Sequence, residues 1–409
     1  MFFKKRVSSV VLTLLLVPGT LLFATWVPLN SGTTNDLSAV HFPVNDTVGY
    51  AVGMMGTVLK TTNAGAEWVD ISPGGFLTWA SVWFTDNNTG FIVGGFNSVR
   101  KTTDGGATWT SIDIGAAPET LDLAGVHFPS SDVGYIAGCR RNGGTRVFKT
   151  TNGGQSWVKY ELSTWPMAMG NMVHFPTEQI GFVLGRNGFA ARTLNGGASF
   201  ELLSVGKSPN WTGICFAPGD PSSGYIVGDS FVFATRDTGK TWTRAQLPED
   251  QIFYGVSVPK DMNRAYVVGA GGQIFVNQGG PLWNPQPSGT EMNLRGVWFV
   301  PPYPIEAELF VGYAVGAVGT ILKQSEIVGI EEGRRATSSK GALRVLANPC
   351  KQSIALQSAE DAQVKVFDAS GRAVGKFSVT KGANLIPVSQ PGVYILRSGK
   401  ESVRVVVSN

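Results

Sequence analysis

Apolar residues in this chain come in short runs broken by Gly, Asn, Asp and Thr, and no long stretch repeats them at helical spacing. Short alternating runs between turn residues predict strands, so the pattern points to an all-β protein with almost no helix beyond the first two dozen residues. One phrase recurs along the chain. A Gly-aromatic-x-Val-Gly run is followed by a Thr-x-Asn/Asp-Gly-Gly-x-x-Trp turn, and the first element starts at Gly49, Gly90, Gly134, Gly181, Gly224, Ala265 and Gly312. Successive starts differ by 41, 44, 47, 43, 41 and 47 residues. That period is the length of a propeller blade.

Each unit divides into four predicted strands. The first is an apolar run such as Leu37 to Phe42 or Leu123 to Phe128; the second is the Gly-aromatic-x-Val-Gly run. The third is of Val-x-Lys-Thr-Thr type, as in Val58 to Thr62, and the fourth opens with Trp68, Trp109, Trp157, Phe200, Trp242 or Trp283. After Lys323 the seventh unit has neither turn nor Trp, while Trp26-Val-Pro-Leu-Asn-Ser-Gly-Thr lines up with Trp283-Asn-Pro-Gln-Pro-Ser-Gly-Thr. The N-terminal strand is therefore expected to complete the last blade. A closed ring removes the sheet edge and the two apolar faces that an open array would expose.

The turn has its own chemistry. The Gly pairs supply positive φ, and Asn63, Asp104, Asn152, Asn195 and Asp237 are placed to accept hydrogen bonds from nearby backbone N–H groups. The following Trp68, Trp109, Trp157, Trp242 and Trp283 are expected to pack between blades. Unit four, with Phe200 for Trp, and unit six, with Gln278 and Pro281, should hold the least regular turns. The turn resembles the Asp-box of bacterial neuraminidase-type (BNR) repeats, best in Thr103-Asp104-Gly105-Gly106-Ala107-Thr108-Trp109. In that superfamily the box implies a fold element remote from catalysis.

The full phrase from Val48 to Trp68 is similar to the repeats of photosystem II stability and assembly factors. The resemblance implies a seven-bladed propeller over residues 25–324, of a kind that binds polypeptides. Relatives in bacteria without a photosystem carry the same repeats, so it implies fold more directly than role.

After Gln324 the repeat stops, and 325–341 reads as a polar linker. From Ala342 the chain alternates again, in runs such as Ala362 to Asp368 and Gly392 to Ser398, which predicts a small Ig-like β-sandwich over 342–409. Asn348-Pro349, Val364-x-Val366-Phe367-Asp368-x-x-Gly371-Arg372, Gly392-Val393-Tyr394-Ile395-Leu396 and a terminal Val403 to Val407 run resemble the C-terminal sorting domain of type IX secretion. That implies residues 342–409 engage the secretion machinery, with release or attachment at the outer surface. At the other end, Lys4, Lys5 and Arg6, an apolar stretch from Val10 to Leu16 and Leu22-Phe23-Ala24 read as a signal peptide over 1–24. No segment after it is long and apolar enough to span a membrane as a helix.

Charge and cysteine content narrow the functions. The net charge is +4, of which the leader supplies three, so the mature chain is near neutral and is not expected to bind nucleic acid through bulk electrostatics. Three cysteines, Cys139, Cys215 and Cys350, make no disulfide framework. A sialidase-like site needs converging arginines and a Tyr–Glu pair, yet Arg100, Arg140, Arg186 and Arg192 occupy differing repeat positions. A glycosidase needs two facing carboxylates, and Asp229, just after a Val-Gly run, has no repeat-related partner. His41, His127 and His174 share one repeat position with Trp83, Cys215, Ser257 and Trp298, which reads as a packing slot rather than a metal site. No catalytic residue, metal or cofactor is expected.

What remains is a binding surface. The turns from second to third strand and the blade-to-blade loops share one face, and there the sequence places Phe96, Arg140, Arg141, Arg186, Trp165 and Trp211. Arginine beside aromatic side chains is an interaction composition. The expectation is a secreted or surface-displayed, non-catalytic protein binding a protein or glycan. The alternatives are a sialidase-type glycoside hydrolase and an assembly factor for a membrane complex.

Overall fold

The computed structural model describes residues 26–408, except for 141–142, 163–168, 207–209, 249, 260–263, 281, 301–308, 328–342, 346–349, 352, 359–360, 369–371, 389–391 and 399–400. The leader, most of the linker, Arg141, Trp165, Asn348-Pro349 and Gly371 lie outside the described residues. Within them the chain is all-β apart from three short 3-10 turns. Residues 26–327 form seven four-stranded antiparallel sheets, each with its strands in sequence order except the one that the N-terminus completes. The first strands are Leu37–His41, Trp79–Phe84, Asp122–His127, Met169–His174, Trp211–Phe216, Phe253–Ser257 and Leu294–Phe299. Each touches the first strand of the next sheet, and Leu294–Phe299 touches Leu37–His41. The sheets are the blades of a propeller, with the first strands lining its axis.

Closure happens where the sequence placed it. Trp26–Leu29 pairs antiparallel with Ile321–Ile327, Trp26 opposite Gln324 and Leu29 opposite Ile321. Trp26 is buried edge-on against Tyr266 and Phe299, and its Nε1–H donates to Gln286 Oε1 at 2.9 Å. The strand thus links the sixth and seventh blades. Ile321–Ile327 runs three residues past Gln324 and pairs with Leu309–Gly316, so the last blade ends later than the repeat pattern indicated.

The phrase recurs because each blade must bury both faces. Tyr50, Phe91, Tyr135, Phe182, Tyr266 and Tyr313 of the second strands are buried and stack on the Phe that ends an adjacent first strand: Tyr50 on Phe84 at 3.5 Å, Tyr135 on Phe175 at 3.4 Å. In the turns, Asn63, Asp104, Asn152, Asn195 and Asp237 each accept a backbone N–H four residues on, at 2.9–3.0 Å. The preceding Thr hydroxyl (Thr102 for Asp104) donates to the same side chain and accepts the N–H of the second glycine. Gly106 and Gly154 have φ of +86° and +78°, and a Cβ on either would collide with Ile71 or Phe91 of the previous blade. Positive φ and close approach both require glycine there.

Unit four departs from expectation. Its turn keeps the full set of hydrogen bonds, with Gly196 and Gly197 at φ +66° and +87°, because side chain and backbone fix it independently of Phe200. Unit six is altered as expected. Asn277 pairs opposite Ala265 where the first five blades place Thr, and its amide donates to the Gly280 and Leu282 carbonyls.

In five blades a cation from the third strand reaches the turn of the next. Lys60 donates to the Gly105 carbonyl, Lys101 to Gly153, Lys149 to Gly196 and Lys323 to Ala64, at 2.7–3.0 Å, and Arg192 to Thr238. The fifth and sixth blades carry Ala234 and Val276 at this position. Those two face the altered turn of blade six and the missing turn of blade seven. The cation is present only where a regular turn receives it.

Beyond the ring, a three-stranded sheet and a five-stranded sheet share one core of Ile354, Leu356, Val364, Val366, Val379, Ile386, Tyr394 and Leu396. The strand Gly382–Pro387 was not predicted, because its only apolar pair is Leu385-Ile386 and Leu385 faces solvent.

Candidate binding site at the mouth of the ring

The strands of each blade alternate in direction, so the leading end of the first strand lies beside the turn between second and third strands. At this end of the axis, Ser38, Ala80, Ala124, Met172, Thr212, Tyr254 and Arg295, one from each blade, surround an opening of about 310 Å³. Small residues in the first three blades leave it open. Arg186, Asn210 and Trp211 complete the wall.

Two of the six binding residues expected from the sequence meet here. Arg186 ends the second strand of blade four and is exposed; Trp211 begins the first strand of blade five and is buried. The Trp211 ring packs edge-on to Phe233, and its Nε1–H has no hydrogen-bond partner among the described residues. The backbone next to each is tied together: Asn187 N–H donates to Asn210 Oδ1, and Asn210 N–H donates to Asp229 Oδ2 at 2.7 Å. Asp229 is thereby occupied in holding backbone. Across the opening, Arg295 pairs with Asp36 at 2.8 Å, and Asp36 also accepts the Val318 N–H.

Of the other expected residues, Arg140 and Phe96 sit elsewhere on the face, and Arg141 and Trp165 lie outside the described residues. Arg140 is part of a cluster around Glu119, which Arg146 holds at 2.5 Å and Arg140 approaches at 3.4 Å. Hydrogen bonds from Arg146 keep the Glu119 carboxyl below its ordinary pKa. Phe96 is 61 % exposed at φ +57°, and the neighbouring Asn97 side chain binds the Glu119 carbonyl, so Phe96 and Arg140 flank one anchored loop. Exposed Met54, Met55 and Phe76 extend this face across the first two blades. Sequence reasoning missed Arg295 and Tyr254, whose membership shows only once the leading ends of all seven first strands are brought around one axis.

The histidine slot adds hydrogen bonds to the expected packing. The sequence reads His41, His127 and His174 as one packing slot shared with Trp83, Cys215, Ser257 and Trp298, and the ring brings all seven around the axis at the far end of the first strands. His41 lies 4.4 Å from Trp83, Trp83 4.1 Å from His127, and His127 4.4 Å from His174, centroid to centroid. Each imidazole accepts a backbone N–H from the adjacent blade: His41 Nδ1 from Phe84, His127 Nδ1 from Phe175, His174 Nε2 from Phe216. The slot is a hydrogen-bonded hoop. Burial pushes His41 down to about 3 and His174 to about 4, and lowers His127 well below the usual range. A metal would need the lone pairs that these backbone bonds already use. Cys139 and Cys215 are free thiols; burial raises both, Cys215 to about 11.

Fold and mouth together define a β-propeller with a cationic and aromatic opening at one end of its axis. The family described as photosynthesis system II assembly factor YCF48 matches residues 76–168. Among solved structures, YCF48 from Cyanidioschyzon merolae is 18% identical, with a TM-score of 0.59 over 74% of this chain and 99% of that one. A YCF48 bound to D1 peptide is likewise 18% identical, with a TM-score of 0.59 over 74% of this chain and 98% of that one. An ancestral GH74 enzyme is 16% identical, with a TM-score of 0.57 over 93% of this chain and 63% of that one. At these identities the likeness is one of fold. No curated protein matches the sequence.

Proposed function

We propose that the mature chain is a non-catalytic binding protein that takes a segment of a partner protein at the mouth where Arg186 and Trp211 meet. The observation that carries this reading is their convergence, from different blades, on one opening that also holds Tyr254 and Arg295. A guanidinium beside a buried indole suits a segment carrying both carboxylate and apolar side chains. A neighbour of the same fold binds a D1 peptide, which supports a polypeptide ligand over a glycan. Asp36 and Asp229, beside the mouth, are engaged by Arg295 and by backbone N–H groups, so neither stands as a free carboxylate of a glycoside hydrolase pair. The leader over 1–24 and the resemblance of 342–409 to a sorting domain support export and type IX secretion to the outer surface. No helix among the described residues is long and apolar enough to cross a membrane.

The test immobilises the mature chain and its Arg186→Glu variant and feeds both with cell-surface extract. The expected result is a defined protein retained by the wild type and bound at least about tenfold more weakly by the variant. Prior deglycosylation of the extract should change nothing. Retention that ignores Arg186→Glu, or that disappears on deglycosylation, would refute this reading.

A further inference from the structure

The far end of the axis holds a second cavity, of about 360 Å³, lined by His41, Trp83, His127, His174, Ser257 and Trp298 with Phe and Pro side chains around them. No Asp, Glu, Lys or Arg lines it. Its polar side chains are the imidazoles, the indoles and the hydroxyls of Thr85, Ser130, Ser131 and Ser257. A neutral imidazole has one lone pair and one N–H. The bonds from Phe84 and Phe175 occupy Nδ1 of His41 and His127, so the hydrogen-bond network assigns their protons to Nε2; the bond from Phe216 assigns that of His174 to Nδ1. Those three N–H groups and the Trp83 Nε1–H have no protein acceptor among the described residues. All four rings line the cavity. The thiol of Cys215 turns away to the Phe216 carbonyl, and Ser257 Oγ accepts the Phe299 N–H. On its histidine and tryptophan wall the cavity offers N–H donors, with the hydroxyls of Thr85, Ser130 and Ser131 as its other polar side chains.

We propose that this cavity is a second binding site, separate from the mouth, for a small uncharged molecule with an apolar body and a carbonyl-type acceptor. The acceptor would lie against the imidazole and indole N–H groups, and the body against Trp298, Phe128 and Phe175. A cation is disfavoured because His41 and His127 pack against Trp83 at 4.4 and 4.1 Å, crowding the ring that would attract it. An anion is disfavoured because no positive side chain compensates its desolvation.

The test titrates the mature chain with three probes sharing one phenyl body: benzamide, benzoate and benzylammonium. Tryptophan indole and histidine imidazole N–H resonances are followed by NMR. Benzamide should shift the Trp83 indole and the imidazole N–H signals saturably, and Trp83→Phe should weaken its binding by about fivefold, the worth of one neutral hydrogen bond. Arg186→Glu should leave benzamide binding unchanged, which keeps this site distinct from the mouth. The proposal is overturned if benzamide causes no saturable shift, or if benzylammonium or benzoate binds as tightly. If Trp83→Phe does not fold, the wild-type shifts decide alone.

Discussion

At the scale of single residues, the turn of each blade rests on a hydroxyl that is both donor and acceptor. Thr102 Oγ1 donates to Asp104 and accepts the Gly106 N–H, and Thr150 does the same for Asn152 and Gly154. Thr150→Val keeps the shape and removes both bonds, leaving a buried N–H unpaired, so it should cost about 1–3 kcal/mol in urea unfolding. The histidine hoop makes a second prediction. Its folded pKa values lie below the unfolded value near 6.5, so the neutral form is favoured in the native state. Their contribution is complete above about pH 6.5 and is lost as pH falls toward about 4, by roughly 1.4 kcal/mol per pH unit for each histidine. A stability titration should show this fall, and His174→Gln should flatten it. The side-chain types in these turns were legible in the sequence because they recur at fixed spacing. The hoop was legible as a shared packing position but not as a set of hydrogen bonds, because each imidazole's partner is a backbone N–H of the adjacent blade.

At the scale of elements, the junctions between blades are unequal. Five carry a Lys or Arg bonded to the next turn, and those into the sixth and seventh blades carry Ala234 and Val276. Lys101→Met should lower stability by about 1 kcal/mol by leaving the Gly153 carbonyl without its cation, whereas Ala234→Lys should give no comparable gain. Thermal unfolding of the two variants separates the outcomes. The third-strand lysine was visible as part of a repeated phrase, but its partner lies 45 to 52 residues away for Lys60 and Lys101, and only the packed ring shows the pairing. Strand Gly382–Pro387 escaped for a different reason: with one face in solvent and little apolar content, it has no periodic signal.

At the scale of the whole molecule, one displaced strand closes the ring. Trp26 joins a core with Tyr266, Phe299 and Leu322, so it is held by two blades at once. Deleting residues 26–36 should expose the edge of Ile321–Ile327 and the apolar face beside it, and the product should aggregate. A soluble chain with one cooperative transition would contradict closure by this strand. Closure was readable from sequence because Trp26 to Thr33 repeats Trp283 to Thr290. The mouth was only half readable. Arg186 and Trp211 stood out by type, whereas Tyr254 and Arg295 become partners because seven inner strands converge on one axis.

The repeated phrase therefore builds a scaffold, and the account assigns recognition to the end of the axis where the blades differ. Hydrogen exchange of the mature chain with and without its captured partner tests that most directly. The account predicts protection at residues 186–187, 210–212, 254 and 295, with the loops at the other end of the axis unchanged. Protection confined to those loops, or to residues 343–408, would contradict it.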